Sequence, residues 1–151
     1  MDTNSILMKQ PDYDDDYPTC EKTYSTLRIF SDKINPAEIT KTLKINPTES
    51  FQKGEPYYKG KLRENNCWFY STETLTKSKD TRRHIDLILQ ALNRKEKAIN
   101  ALQQKRCKMD IVSFWLGCGA AGGPALWPYQ MLKLGKLGIE IWWDVYSGDE
   151  K

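Results

Sequence analysis

Gly117-Cys118-Gly119-Ala120-Ala121-Gly122 is a literal G-x-G-x-x-G, the spacing with which a glycine-rich loop hands a pyrophosphate to the amides of a following helix. Its placement defeats that chemistry. Gly123-Pro124-Ala125-Leu126-Trp127-Pro128 separates the last glycine from the next helical pattern, so no helix N-terminus opens inside the loop. The loop is therefore expected to be a bent or flexible connection, with anion binding through its amides as the remaining chemistry. His84, the one histidine of the chain, stands in Arg82-Arg83-His84-Ile85-Asp86 with no nucleophile in register, and Asp80 four residues earlier offers it a surface hydrogen bond instead. Cys20, Cys67, Cys107 and Cys118 form no pair at metal-ligand spacing and read as free thiols packed like small apolar residues. No cofactor, no metal and no catalytic set is expected.

What remains is binding chemistry. Asp12, Asp14, Asp15 and Asp16 surround Tyr13 and Tyr17 in an acidic run, whereas Lys77 to Lys108 is strongly basic and includes Arg82 and Arg83. Opposed charge of this kind recruits charged partners, although a basic helix face is in the ordinary case simply solvated. Trp68, Trp115, Trp127, Trp142 and Trp143 add a heavy aromatic load, which beside basic residues also suits single-stranded nucleic acid. No RNA-binding motif accompanies them.

These side chains must be positioned by a single domain, since 151 residues can bury a substantial core. Residues 1–20 have few aliphatics and read as a flexible acidic tail; residues 21–151 read as one α+β domain. A strand is expected around Tyr24–Ser31, where Leu27 and Ile29 alternate with Thr26 and Arg28. A helix follows it, with Asn35 as cap, Pro36 at its first position, Glu38 completing an approximate capping box and Asn46-Pro47 as the stop. Turn chemistry at Lys53-Gly54-Glu55-Pro56 and Lys59-Gly60-Lys61 precedes a strand at Cys67–Thr72. Ile85, Ile88, Leu89, Leu92, Ile99 and Leu102 mark one long helix, with room for a break near Asn93-Arg94.

Met109–Leu116 is apolar on both faces and reads as a central strand; a short helix from Pro128 and a last strand at Ile139–Tyr146 complete the order. On that last strand Trp142 and Trp143 point to opposite faces, placing one in the core and the other on a helix or an exposed contact. The strand, turn and proline-entered helix near the start recur near the end. The expected fold is a single mixed or mostly antiparallel sheet of about four to six strands, with helices mainly on one face and two related strand-helix-strand halves joined by the long helix.

Ile34-Asn35-Pro36-Ala37-Glu38-Ile39, Asn46-Pro47-Thr48, Lys53-Gly54-Glu55, Trp68 and the closing Asp144-Val145-Tyr146 together resemble the bacterial domain-of-unknown-function family four-two-seven-nine, over about residues 22–147. The chain departs from that pattern at Trp127, which occupies a capping position where Ser or Thr is expected. The resemblance implies a small cytoplasmic protein and counts suspected immunity proteins of bacterial toxin systems among the family's members. The expectation that follows is a non-catalytic protein-binding module, an immunity protein that occludes a cognate toxin. Its candidate contact residues are Asp14, Asp15, Asp16, Tyr17, Lys53, Glu55, Arg82, Arg83 and Trp127. The alternative is a regulatory module holding a small ligand or nucleic acid between the halves. Neither reading involves a membrane, because the apolar stretch around Ile111–Leu126 is interrupted and too short to span one.

Overall fold

Alternation along Cys20–Ser31 (β1) buries Ser25, Leu27, Ile29 and Ser31 and turns Thr26, Arg28 and Phe30 to the opposite side. The computed structural model describes residues 12–148, and β1 lies at the middle of its sheet. Pro36–Leu43 (α1) follows, then the short strands Glu49–Phe51 (β2), Pro56–Tyr58 (β3), Lys61–Leu62 (β4) and the longer Asn66–Ser71 (β5). Thr81–Ala91 (α2), Glu96–Gln104 (α3), Lys108–Gly117 (β6), Pro128–Leu137 (α4) and Glu140–Tyr146 (β7) complete the described elements.

The five-stranded sheet runs β2-β5-β1-β6-β7, and β3 pairs with β4 as a separate hairpin. Every neighbouring pair in the sheet is antiparallel except β6 and β7, which are parallel. Because β1 and β2 are both antiparallel to β5, they are parallel to each other with β5 between them. This is the split β-α-β connection. Register follows burial: Leu27 faces Ile111 and Ile29 faces Met109 across the central pair. Ser25 faces Ser113 there, and their buried hydroxyls meet at 2.6 Å.

Side chains from all four helices, including Ile39, Leu43, Ile85, Ile88, Ile99, Leu102 and Leu134, share one core with Leu27, Ile29, Trp68, Met109 and Ile111. One face of the sheet is therefore sealed. Trp68 is fully buried and its indole N–H donates to Thr40 on α1 at 3.0 Å, which ties β5 to the first helix. The start of α1 is as expected, with Asn35 accepting from the Glu38 amide at 2.9 Å and Pro36 opening the helix, but the helix closes at Lys44, with a left-handed φ of 57°, before the expected Asn46-Pro47 stop.

The expected long helix is two. Arg94 takes a φ of 61° between α2 and α3, and the Lys95 ammonium turns to the Leu43 carbonyl at 2.7 Å, tying the break to the end of α1. Neither tryptophan of β7 is in the core, contrary to the expectation for one of them, because β7 ends the sheet and its distal half projects beyond the helices' cover. Among the described residues no helix is long and apolar enough to cross a membrane.

Candidate functional site

The acidic run meets the basic residues at the N-terminus of α2. The Asp15 carboxylate accepts from Arg83 Nε at 2.7 Å and Nη2 at 3.0 Å, and from the Ser78 hydroxyl at 2.6 Å. Those bonds hold the Asp15 carboxyl below its usual range. Asp80 caps α2 through the Arg82 amide, grips the Arg82 guanidinium with both oxygens and accepts from the Asp14 amide at 2.8 Å. Arg82 lies 4.4 Å from the Trp127 ring centre, Arg83 lies 4.0 Å from that of Tyr13, and Tyr13 and Trp127 pack at 5.5 Å. The segment from Asp12 to Thr19, expected to belong to a flexible tail, makes these contacts. Residues 1–11 lie outside the described part of the chain.

Asp14, Asp15, Tyr17, Arg82, Arg83 and Trp127 are thus brought together, largely as partners for one another. Asp16 is exposed beside them. Lys53 and Glu55 lie elsewhere, in the turn before β3, where the Lys53 ammonium pairs with Asp32. Below the cluster sits a carboxylate that sequence reasoning missed. Asp86 is buried on α2 and accepts from the hydroxyls of Tyr13 and Tyr129, the latter at 2.5 Å, and from the Gln130 amide at 2.8 Å. Burial together with the bond to Asp86 pushes both phenols well above their ordinary value, so they remain donors. The available signal was an acid three residues before Leu89, on the flank of the apolar stripe.

Gln130 also explains how α4 starts without a good cap. The Trp127 indole has no acceptor to offer, so Gln130 Oε1 reaches back to accept from the Trp127 amide at 3.0 Å, giving half of a capping box. His84 is fully buried, so the expected surface bond to Asp80 does not form. Its Nδ1 meets the Thr72 hydroxyl at 2.6 Å and its Nε2 donates to the Ser78 carbonyl at 2.8 Å. Desolvation lowers its pKa, which favours the neutral ring. The glycine loop is shaped by packing: Gly122 has a φ of 156°, and a Cβ there would meet the Thr19 side chain at 2.6 Å. Tyr17 donates to the Gly123 carbonyl at 2.8 Å on the same side.

The sheet face opposite the helices is covered by none of them. Its aromatic side chains cluster in two places. Tyr24, Phe114 and Tyr146 lie in sequence across β1, β6 and β7 at 5.0 and 5.4 Å, and β7 exposes Trp142 (57%) and Tyr146 (51%) on this face and Trp143 (38%) and Val145 (57%) on the other. At the other end Phe30, Phe51 and Phe69 meet edge to face, and a groove of about 720 Å³ opens between them and the β3-β4 hairpin. Arg28, Phe30, Tyr57, Arg63, Cys67 and Phe69 line much of it. These residues were not singled out by sequence, although the outward alternation of Arg28 and Phe30 on β1 carried the signal. Among the described residues, no group of three His, Cys, Asp or Glu side chains is placed to hold a metal ion.

No curated protein and no solved structure matches the chain. Residues 21–148, from the second residue of β1 to just beyond β7, match the family described as "Domain of unknown function (DUF4279)", and the chain belongs to that family.

Proposed function

We propose that the protein is a non-catalytic binding module that takes a protein partner along β7, and that this partner is a bacterial toxin which it occludes. The observation that carries the reading is the exposure of Trp142, Trp143, Val145 and Tyr146 on the last strand of the sheet. An edge strand with bulky apolar side chains on both faces is a template for another strand, and soluble proteins ordinarily blunt such edges with charge or cover. Here the strand carries Glu140 and Asp144 but no cation, so the complementary strand is basic and apolar. The α2 cluster, in contrast, is engaged with the N-terminal segment; in this reading it stiffens the module and leaves Asp16 as its charged margin. The toxin identity rests on the family resemblance.

Co-expression with a candidate toxin taken from a neighbouring gene tests the reading. Growth should be restored by the wild type and lost with Trp142→Lys and Val145→Lys, which keep soluble folded protein because both positions are exposed. A toxin that kills equally well in the presence of the wild type sinks the proposal.

A further inference from the structure

The groove under the β3-β4 hairpin lies at the far end of the uncovered face from β7 and contains an arginine without a counter-charge. Arg63 sits 3.6 Å from the Phe51 ring centre and 5.0 Å from that of Tyr57. Its Nε is buried without an acceptor, and its Nη1 reaches only the Cys67 sulfur at 3.9 Å. Among the described residues no carboxylate lies within ion-pair distance of Arg63 or of Lys61, two residues earlier on the same arm of the hairpin. The other cation of the groove is already neutralised, since Arg28 grips Asp110 with two bonds of 2.7 Å. Lys61 and Arg63 therefore face Glu64 as the one acid in the lining. A guanidinium held flat against a ring, with its edge unsatisfied, is shaped for bidentate recognition of a phosphate or carboxylate.

Beside this charge the lining presents ring faces. Phe30 and Phe69 are half-buried in the floor, Tyr57 is 55% exposed at the wall, and about 720 Å³ is room for a base with its sugar and phosphate. Charge and ring alternate as phosphate and base do. We propose that this groove binds a nucleotide unit, the phosphate on Arg63 and Lys61 and the base on Phe30, Phe69 and Tyr57. Base stacking on aromatic side chains tolerates every base. Asn65 is the one side-chain amide in the lining, so base discrimination is weak. The same chemistry is supplied by a free nucleotide or by one residue of a single-stranded RNA.

The full chain, labelled with nitrogen-15, is titrated separately with AMP, a short single-stranded oligoadenylate and inorganic phosphate. AMP or the oligonucleotide should shift the amides of Phe30, Arg63, Cys67 and Phe69 at concentrations where phosphate does not. Saturation by AMP identifies a free nucleotide as the ligand, and saturation by the oligonucleotide alone identifies an RNA strand. Arg63→Gln should weaken binding about tenfold or more. Tyr57→Ala, at an exposed position whose loss leaves the unfolding midpoint unchanged, should weaken it by about tenfold. Equal shifts with phosphate and AMP, no shift with any probe, or unaltered affinity in both variants would overturn the proposal. None of these readouts depends on a partner at β7, so this site and the β7 reading stand or fall separately.

Discussion

Remove the carboxylate of Asp86 and the Tyr13, Tyr129 and Gln130 donors lose their acceptor together. Asp86→Asn is a sharp probe because both oxygens are in use: whichever way the new amide is turned, its NH₂ confronts a donor. Leaving a buried donor unmet costs about 1–3 kcal/mol, so Asp86→Asn should destabilise the fold by about 2–3 kcal/mol in urea. Tyr129→Phe, which removes a single bond to a charged acceptor, should cost about 1.5 kcal/mol. A midpoint for Asp86→Asn equal to the wild type's would mean that the network holds nothing together. His84 supplies the pH dependence at this scale. Its folded pKa lies below the ordinary value, chiefly through desolvation, so below about pH 6.5 the unfolded chain takes up a proton that the folded one refuses. Stability should fall as pH drops through that window, by at most about 1.4 kcal/mol per pH unit, until the folded pKa is reached. Asp15, whose carboxyl is lowered chiefly by Arg83, acts in a separate and more acidic window. Urea midpoints at pH 7.5 and 5.5 should differ in the wild type and converge in His84→Gln; an equal difference in both would place the proton elsewhere.

Among the elements, α1 and α4 show what local chemistry decides and what it leaves to packing. Asn35, Pro36 and the left-handed Lys44 fix α1 at both ends; the first two were readable from neighbouring residues, whereas the stop was expected at Asn46-Pro47 and falls at Lys44. Asn35→Ala should therefore cost about 1 kcal/mol, visible as a lowered thermal midpoint with no change in the α4 amide spectrum. An unchanged midpoint would show that the cap is replaced by solvent. The start of α4 could be read only in part, because its cap is Gln130 reaching backwards while the same side chain donates to Arg82 and Asp86 on another helix. The break between α2 and α3 was legible as a gap in the apolar stripe, but its geometry depends on Leu43, 52 residues before Lys95. Strand identity came from alternation. Strand neighbours did not, since nothing local states that β5 enters between β1 and β2 while β7 pairs directly with β6. The burial expected for one of Trp142 and Trp143 failed for that reason: a tryptophan's side of the sheet follows from period two, but whether anything covers that side follows from the strand order.

At the scale of the whole molecule, the sheet is sealed on one face by four helices and left aromatic on the other, with the hairpin groove at one end and β7 at the other. The N-terminal segment closes a third region. Tyr13 reaches Asp86 on α2 and Trp127 before α4, Asp15 and the Asp14 amide reach the α2 entrance, and Tyr17 and Thr19 pack on the glycine loop. Acidic composition could not disclose this, because the segment's few side chains find their partners in three separate stretches of the chain. Ordering each of its residues costs about 1–2 kcal/mol of backbone entropy, which the ring contacts and charge-assisted bonds must offset. The exposed Asp15–Arg83 pair adds little to the net, on the order of 0–1 kcal/mol. What deletion exposes is the lost donor to buried Asp86 and the uncovered face of Trp127. A chain shortened through Pro11 is therefore the proper reference for one shortened through Pro18. The longer deletion should be less stable than the shorter by about 2 kcal/mol, the size of one hydrogen bond to a buried charge. Hydrogen exchange should locate the loss in the first turn of α2 and in the loop 117–127, leaving β1 and β5 protected. Identical midpoints and exchange in the two shortened chains would show that residues 12–18 contribute nothing to the folded unit, and Asp86 would then have to be satisfied by Tyr129 and Gln130 alone.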